Sequence, residues 1–382
     1  LDCRKRQYEY YRNNLLSYQG NEVEWKTLDQ ISENLDSKRQ PITSGLRTSG
    51  KIPYYGASGI VDYVEDYIFD GDFLLISEDG ANLLARNTPI AFSVSGKIWV
   101  NNHAHVLKWL DGILNNTFLL HFLNIFDYFW IVSGTTRLKL NQSAMKNIPI
   151  PLPPLSTQKL IVEKLDAIFS EIEKSKNLLE KNLKNVDEMN KSVLEKIFAN
   201  EEWERKKLRE VCEIKKWKKV NYSEQWKYNY IDIGILRTNI IEQYTNDEWV
   251  FCDKNDILIA WDGSKSGTVG FWLEWVIGST LAKITIDTKI FSSKFVWKFL
   301  QGNFEYLNKN TSGAAIPHLR KDILINLEIP LPPLETQKNI VSYLDNIFAE
   351  NQKLKNLYQA QIKNLDEMKQ SFLKKAFAGE LV

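Results

Sequence analysis

The side chains best equipped for chemistry in this chain are cations set among aromatics, amides and glycines. Arg205, Lys206, Lys207, Arg209, Lys215, Lys216, Lys218 and Lys219 crowd into fifteen residues around Trp217. Such a run can neutralise backbone phosphates of a nucleic acid, although a solvated hairpin face has the same composition. Nearer the start, Lys38, Arg39, Arg47 and Lys51 precede Tyr54-Tyr55-Gly56. Glycines there would let the backbone approach a duplex, and Arg47 or Lys51 has the reach for a base edge such as guanine O6/N7. Tyr54 and Tyr55 fit a core or hairpin position equally well. Arg137, Lys139, Arg237, Lys265, His318 and Arg320 complete the candidate nucleic-acid contacts.

Catalytic signatures are missing. Asn87-Thr88-Pro89-Ile90 is not the Asn/Asp-Pro-Pro-aromatic loop of an amino-methyltransferase. The glycine-rich 263–270 segment lacks the Lys that must follow the second Gly of a phosphate loop, so it reads as a turn between strands. His103-x-His105 has no Cys or nearby carboxylate in sequence to complete a metal shell, and a strand surface is the expectation. Cys3, Cys212 and Cys252 are odd in number and far apart, which suits a reducing cytoplasm better than a disulfide framework. A net charge of +1 leaves any nucleic-acid contact to local clusters. The most membrane-like stretch, 113–132, carries three asparagines, His121 and Asp127, too many polar groups for a bilayer core, and the N-terminus does not read as a signal peptide. The chain is expected to have no catalytic residue, metal site or cofactor of its own.

The elements that must position these residues are announced by a duplication. Ile150-Pro151-Leu152-Pro153-Pro154-Leu155-Ser156-Thr157-Gln158-Lys159 returns as Ile329-Pro330-Leu331-Pro332-Pro333-Leu334-Glu335-Thr336-Gln337-Lys338, and about 31 of 52 positions from Ile150 to Glu201 repeat at an offset of 179. Each copy opens on prolines, which favour an extended segment, and then runs free of Pro and Gly for some forty residues. Ser156 is the expected N-cap of the first helix. A heptad-like seam falls on Ile161, Leu165, Ile168, Ile172, Leu179, Val186 and Met189, and in the second copy on Ile340, Leu344, Ile347, Leu354, Leu365, Met368 and Phe372. So narrow a stripe needs a partner, and the other copy, antiparallel in a coiled coil of roughly 65 Å, is the expected one.

Between the repeats lie two blocks with recurring landmarks. Leu74–Gly80 and Ile257–Gly263 read as buried strands ending in Asp-Gly turns, and 118–123 parallels 295–300 as a short amphipathic helix. Ser133-Gly134-Thr135-Thr136 parallels Ser312-Gly313-Ala314-Ala315 just before the prolines. Residues 8–18 align with the end of the first long helix, so the chain begins with the tail of a repeat. The expected α+β architecture is pseudo-two-fold and circular: 1–20 a completing helix, 21–149 and 202–328 two similar α/β domains, 150–201 and 329–382 the repeated helices.

With these motifs together, the chain resembles the specificity subunits of type I restriction-modification systems. The resemblance is carried by the two Pro-Leu-Pro-Pro-Leu-x-x-Gln-Lys openings, by Phe377-Ala378-Gly379-Glu380-Leu381, by Ser-Gly-Thr-Thr-Arg-Leu at 133–138, and by Ile52–Gly59 with Glu78-Asp79-Gly80-Ala81-Asn82. It implies two target recognition domains, each reading one half of a split double-stranded DNA site. It also implies two methyltransferase subunits docked on the helices and ATP-driven restriction subunits, with S-adenosylmethionine, ATP and Mg held by those partners. The second block departs from the motif: Ala314-Ala315-Ile316-Pro317 replaces Thr135-Thr136-Arg137-Leu138, leaving His318 and Arg320 as its nearest polar candidates. A coiled-coil adaptor with two protein-binding domains is the competing expectation.

Overall fold

The computed structural model describes residues 23–216, 228–238, 243–246, 251–313 and 315–381. The completing helix at 1–20, Cys3, Lys218, Lys219 and Ala314 lie outside these residues, as does the side chain of Arg237. The chain divides into two compact units, 1–178 with 361–382, and 179–360. The division cuts both repeated helices in the middle, so each unit owns half of each.

In unit 1 the strands are β1 (Glu24–Thr27), β2 (Ser32–Asn34), β3 (Ser49–Gly56), β4 (Gly59–Val64), β5 (Phe69–Ser77), β6 (Ala91–Val100) and β7 (Ala104–Trp109). Helix α1 (Asn116–Ile125), β8 (Pro149–Leu152) and α2 (Leu155–Phe198) follow. Six strands form one sheet in the order β2-β7-β5-β6-β3-β4, with β3 and β6 parallel and the other pairs antiparallel. The central strand β5 is buried on both faces because its side chains alternate. Leu74 and Ile76 join the core under α1, while Phe73 and Leu75 join a second core with Val94, Ile98 and Val106.

Unit 2 repeats the plan with β9 (Arg205–Lys207), β10 (Cys212–Lys216), β11 (Tyr228–Ile231), β12 (Tyr244–Thr245), β13 (Phe251–Cys252), β14 (Ile257–Ala260), β15 (Val269–Phe271), β16 (Trp275–Ile277) and β17 (Leu281–Ile286). Then come α3 (Ser293–Gly302), the short pair β18 (Thr311–Ser312) and β19 (His318–Leu319), β20 (Glu328–Pro330) and α4 (Leu334–Phe377). Its sheets run β10-β17-β14-β15 and β12-β11-β16-β13, with β11 and β16 parallel. This is the order of unit 1 with two strands broken: β13 and β14 stand in the place of β5, and β15 and β16 in the place of β6. Trp272 and Trp275, both at positive φ, flank the second break. The alternation also repeats: Ile257 and Ile259 face one core, Leu258 and Ala260 the other.

The proline segments are two-stranded ribbons, β1 with β8 and β9 with β20, an edge setting that tolerates prolines. The first long helix is capped two residues earlier than the expected Ser156, and the second starts in the same way. The carbonyl of Pro154 accepts the first helical bond from the Gln158 N–H, and Pro333 does the same for Gln337, so Ser156 lies inside the first turn instead of capping it.

Seam residues Ile161, Leu165, Ile172, Val186 and Leu344 are buried, and Ile168, Leu179, Ile340, Ile347, Leu354, Leu365 and Phe372 are half-buried. Met189 and Met368, equivalent positions placed on the seam by spacing, instead stand exposed; a straight helix drifts off a seven-residue repeat. Leu373, Ala376 and Phe377 supply buried contacts in unit 1, and Leu194, Phe198 and Val341 in unit 2. Within unit 1 the helix segments run antiparallel: Lys164 reaches the Leu381 carbonyl, Lys369 lies over the Phe169 ring and Lys176 pairs with Asp366. Within unit 2 the order is the same in kind, with Asp187 on Lys355 and Asn190 on Asn351.

Candidate nucleic-acid interface

Each unit builds the same corner at the end of its central strand. In unit 1 the strand β5 leads into Glu78-Asp79-Gly80, with Gly80 at φ 109°. The Gly80 N–H donates to the Leu138 carbonyl at 2.9 Å, and Leu140 N–H donates to Glu78 at 2.7 Å. In unit 2, β14 leads into Trp261-Asp262-Gly263, with Gly263 at φ 103°. There Gly263 donates to Pro317 at 2.8 Å and Leu319 to Trp261 at 2.7 Å. The loop that arrives is also the same. Ser133 pairs with Lys139, as Ser312 pairs with His318. Gly134 and Gly313 turn it at φ 95° and 91°, where a Cβ would meet the carbonyl of Arg137 at 2.3 Å or of Ile316 at 2.5 Å. Only glycine fits.

The carboxylate of the Asp-Gly turn gathers basic groups in both corners. Asp79 takes the Nη2 of Arg137 at 2.8 Å and faces Nδ1 of His103 at 2.9 Å. Asp262 takes Nζ of Lys216 at 2.9 Å and faces Nδ1 of His318 at 2.6 Å. Lys216 also lies 5.5 Å above the Trp261 ring. Lys139 meets Glu78 at 3.0 Å. Arg137, Lys139 and His318 keep 62%, 54% and 49% of their side chains exposed, so they can still meet a ligand.

The remaining candidates separate. Lys38, Lys51, Lys215, Lys265 and Arg320 are exposed; Lys215 pairs with Glu213 and Arg320 with Asp322. Lys265 sits on the hairpin between β14 and β15, the turn expected from its glycines. Tyr54 is a correction: it is 1% exposed, a core ring whose hydroxyl accepts from the Ile42 N–H at 2.9 Å. Its partner Tyr55 is half-buried against Phe92. Arg39 is a second correction, an internal strut only 13% exposed, tied to Glu78, the Ala104 carbonyl and Asp36. Arg47 lies over the Tyr54 ring and holds Asp62 at 2.9 Å, which keeps that carboxyl below its ordinary range. The expected surface histidine His105 is buried, between Asp36 at 2.6 Å and the Leu140 carbonyl at 2.8 Å. Burial pushes the Asp36 carboxyl up, yet the bonds from His105 and the Val106 N–H, with Arg39 beside them, hold it below the usual carboxylate value. Carboxylates do therefore surround the two histidines, from distant parts of the chain. Among the described residues no group of three or more such side chains is arranged to hold a metal ion.

Sequence reasoning missed Asp79, Asp262 and the glutamine of the repeated motif. Gln158 and Gln337 are both buried and make matching bonds. Each accepts a backbone N–H (Asn115 at 2.8 Å, Ser292 at 2.9 Å) and donates to two carbonyls, Ile113 and Pro153 or Ile290 and Pro332. They fasten the start of α2 to the start of α1, and of α4 to α3. Aromatics lock the other side: Phe377 packs on Phe118 and Phe122, and Phe198 on Phe295 and Phe299. The signal was the Gln-Lys kept in both copies.

Two domains of one strand order, each presenting basic side chains from an equivalent corner, define a duplicated binding protein. The chain belongs to the type I restriction modification DNA specificity family, whose domain model matches residues 21–181 and again 200–364. A Haemophilus influenzae protein named as a type I restriction enzyme specificity subunit, S.HindORF215P, is 33% identical over 86% of this chain and 88% of its own length. The EcoDI specificity subunit of Escherichia coli is 22% identical over 94% of this chain and 89% of its own. In fold, the chain resembles one from a solved type I R-M system complex, with a TM-score of 0.73 at 21% identity, covering 94% of this chain and 98% of that one. The HsdS subunit from Thermoanaerobacter tengcongensis is similar at a TM-score of 0.51 and 20% identity, covering 94% and 97%. This protein is a DNA specificity subunit of the type I restriction-modification kind. Among its described residues no helix is long and apolar enough to cross a membrane.

Proposed function

We propose that the chain reads a bipartite, asymmetric duplex site, one half per recognition domain (21–149 and 202–328). The observation that carries this is the pair of corners. Their backbone plan is held, while the groups they present differ: Arg137, Lys139 and His103 in one, Lys216 and His318 in the other. Equal frames with unequal donors suit two different half-sites, because phosphate contacts position a protein and base-edge contacts specify it. The repeated regions 150–201 and 329–382 form an antiparallel coiled coil that gives the chain its pseudo-two-fold plan. Helices of 44 residues, about 66 Å at about 1.5 Å per residue, are of the length of two turns of B-DNA at about 34 Å each.

These helices set half-site spacing and dock two methyltransferase subunits. S-adenosylmethionine binds in those subunits, and ATP and Mg in restriction subunits of the full complex, all in the cytoplasm. The present chain contributes recognition and no catalytic group. Binding to bipartite duplexes across a salt series, with and without a modification subunit, tests the reading. Sequence-dependent affinity that falls with salt is expected. Affinity indifferent to sequence at every salt, with the partner present, would refute it in favour of a protein adaptor.

A further inference from the structure

The corner carboxylates need an explanation beyond loop closure. Asp79 and Asp262 lie beside exposed basic groups of their domains, where an unpaired anion would repel a phosphate backbone. Neither is unpaired. Asp79 spends its two oxygens on Arg137 and His103, at 2.8 and 2.9 Å. Both Asp262 oxygens lie within reach of Lys216, at 3.1 and 2.9 Å, and one faces His318 at 2.6 Å. The partners come from different parts of the two sequences. Arg137 belongs to the loop before the proline ribbon, whereas Lys216 ends β10. The arrangement of one carboxylate, one cation and one imidazole is nevertheless the same. Similar local sequence does not account for that agreement.

An exposed arginine or lysine samples many rotamers, and that freedom must be given up when it meets a base or phosphate. A carboxylate behind the cation restricts it beforehand. Arg137 has five N–H donors and spends one on Asp79 through Nη2, so most of the fork stays available. We infer that Asp79 and Asp262 are equivalent positioning residues, which hold Arg137 with His103 and Lys216 with His318 in the orientation that reads one half-site each. The inference rests on the two-half-site reading above and goes beyond it by assigning how each half is read.

The test uses the full chain assembled with its modification subunit and a pool of randomised duplex DNA, selected by binding and sequenced. The wild type should return a motif of two blocks. Asp79→Asn should blur one block, with about a tenfold or greater loss of discrimination there, and leave the other intact; Asp262→Asn should do the reverse. Thermal midpoint and the salt dependence of binding to unselected duplex should stay within error of wild type. Arg137→Ala should blur the same block as Asp79→Asn, and the double variant should be no worse than Arg137→Ala alone. Losses that add in the double variant, or Asp79→Asn degrading both blocks together, would overturn the positioning role. Two sharp blocks in both Asn variants would overturn it too, while leaving two-half-site reading intact. A wild-type pool with no two-block motif would instead remove the reading beneath it.

Discussion

Replacing Gln337 by Leu removes the polar fastening at the start of α4 while keeping a side chain of similar size. Gln337 is fully buried and closes three bonds: from the Ser292 N–H at 2.9 Å, to the Ile290 carbonyl at 3.1 Å and to the Pro332 carbonyl at 2.9 Å. Leu leaves one donor and two acceptors without that partner. At about 1 kcal/mol for each, the low end for orphaned buried groups, the loss is about 3 kcal/mol. The added apolar burial returns about 1 kcal/mol, so the net cost is about 2 kcal/mol or more. Urea denaturation followed by tryptophan fluorescence should show a lower midpoint at unchanged slope. Native-state hydrogen exchange gives the local readout: the Ser292 amide should lose protection in Gln337→Leu while the Asn115 amide keeps its own. Gln158→Leu should reverse the pattern. An exposed control, Gln352→Leu, should cost less than about 0.5 kcal/mol. If Gln337→Leu were as mild as the control, or if both amides changed together, the fastening would not be what joins helix to domain.

Asn351 donates to Asn190 at 2.6 Å between the helix segments of unit 2, and is 6% exposed. Replacing both with Leu should raise the unfolding midpoint yet broaden helix register, seen as added heterogeneity in spin-label distances; a sharper distance distribution would contradict the register role. Burial is the largest influence on His121 and holds its imidazole below the ordinary range, against the opposing pull of Asp166. The unfolded chain therefore takes up that proton at higher pH. The stability it contributes is full above the unfolded value of about 6.5 and is lost as pH falls through it toward the folded value. His121→Gln should flatten the fall in melting temperature between about pH 7 and 5.5, and an unchanged slope would refute the assignment. Inserting four residues near Lys181 should lengthen α2 by roughly 6 Å and change half-site spacing without changing the bases read; altered bases at unchanged spacing would refute the ruler.

Much of the scaffold was legible because it rests on local rules. Prolines, then a long stretch without Pro or Gly, predict an extended segment followed by a helix, and that is what 149–198 and 328–377 form. The apolar run with its Asp-Gly turn gave both central strands. The site was less legible, since its partners meet across long sequence distances. Asp79 finds Arg137, and Asp36 finds His105, only after the sheet has formed. Composition marked Arg39 and Arg47 as free cations, but a folded chain consumes some cations internally. Arg39 helps offset Asp36 and Glu78, two buried carboxylates that it shares with His105 and Lys139. Tyr54 was ambiguous because a tyrosine suits a core and a contact surface equally, and its hydroxyl found a backbone partner inside.

What the duplication kept and what it let drift separate by mechanism. The retained residues, Gln158 and Gln337, Phe198 and Phe377, Gly134 and Gly313, satisfy buried backbone groups, fill aromatic gaps or occupy backbone conformations that admit only glycine. A change at any of them costs stability whatever the ligand. The residues that differ, Arg137 against Ile316 and Lys139 against His318, sit on a frame closed by main-chain bonds and by the hydroxyls of Ser133 and Ser312. Their side chains can be exchanged without opening the loop, provided the carboxylate behind them keeps a cation. A recognition domain built this way can alter what it reads at little cost in stability, as long as substitutions stay in front of the Asp-Gly turn. Asp79 and Asp262 are harder to change than the cations they hold for reading and not for stability, since replacing either carboxylate releases a cation and an imidazole at once.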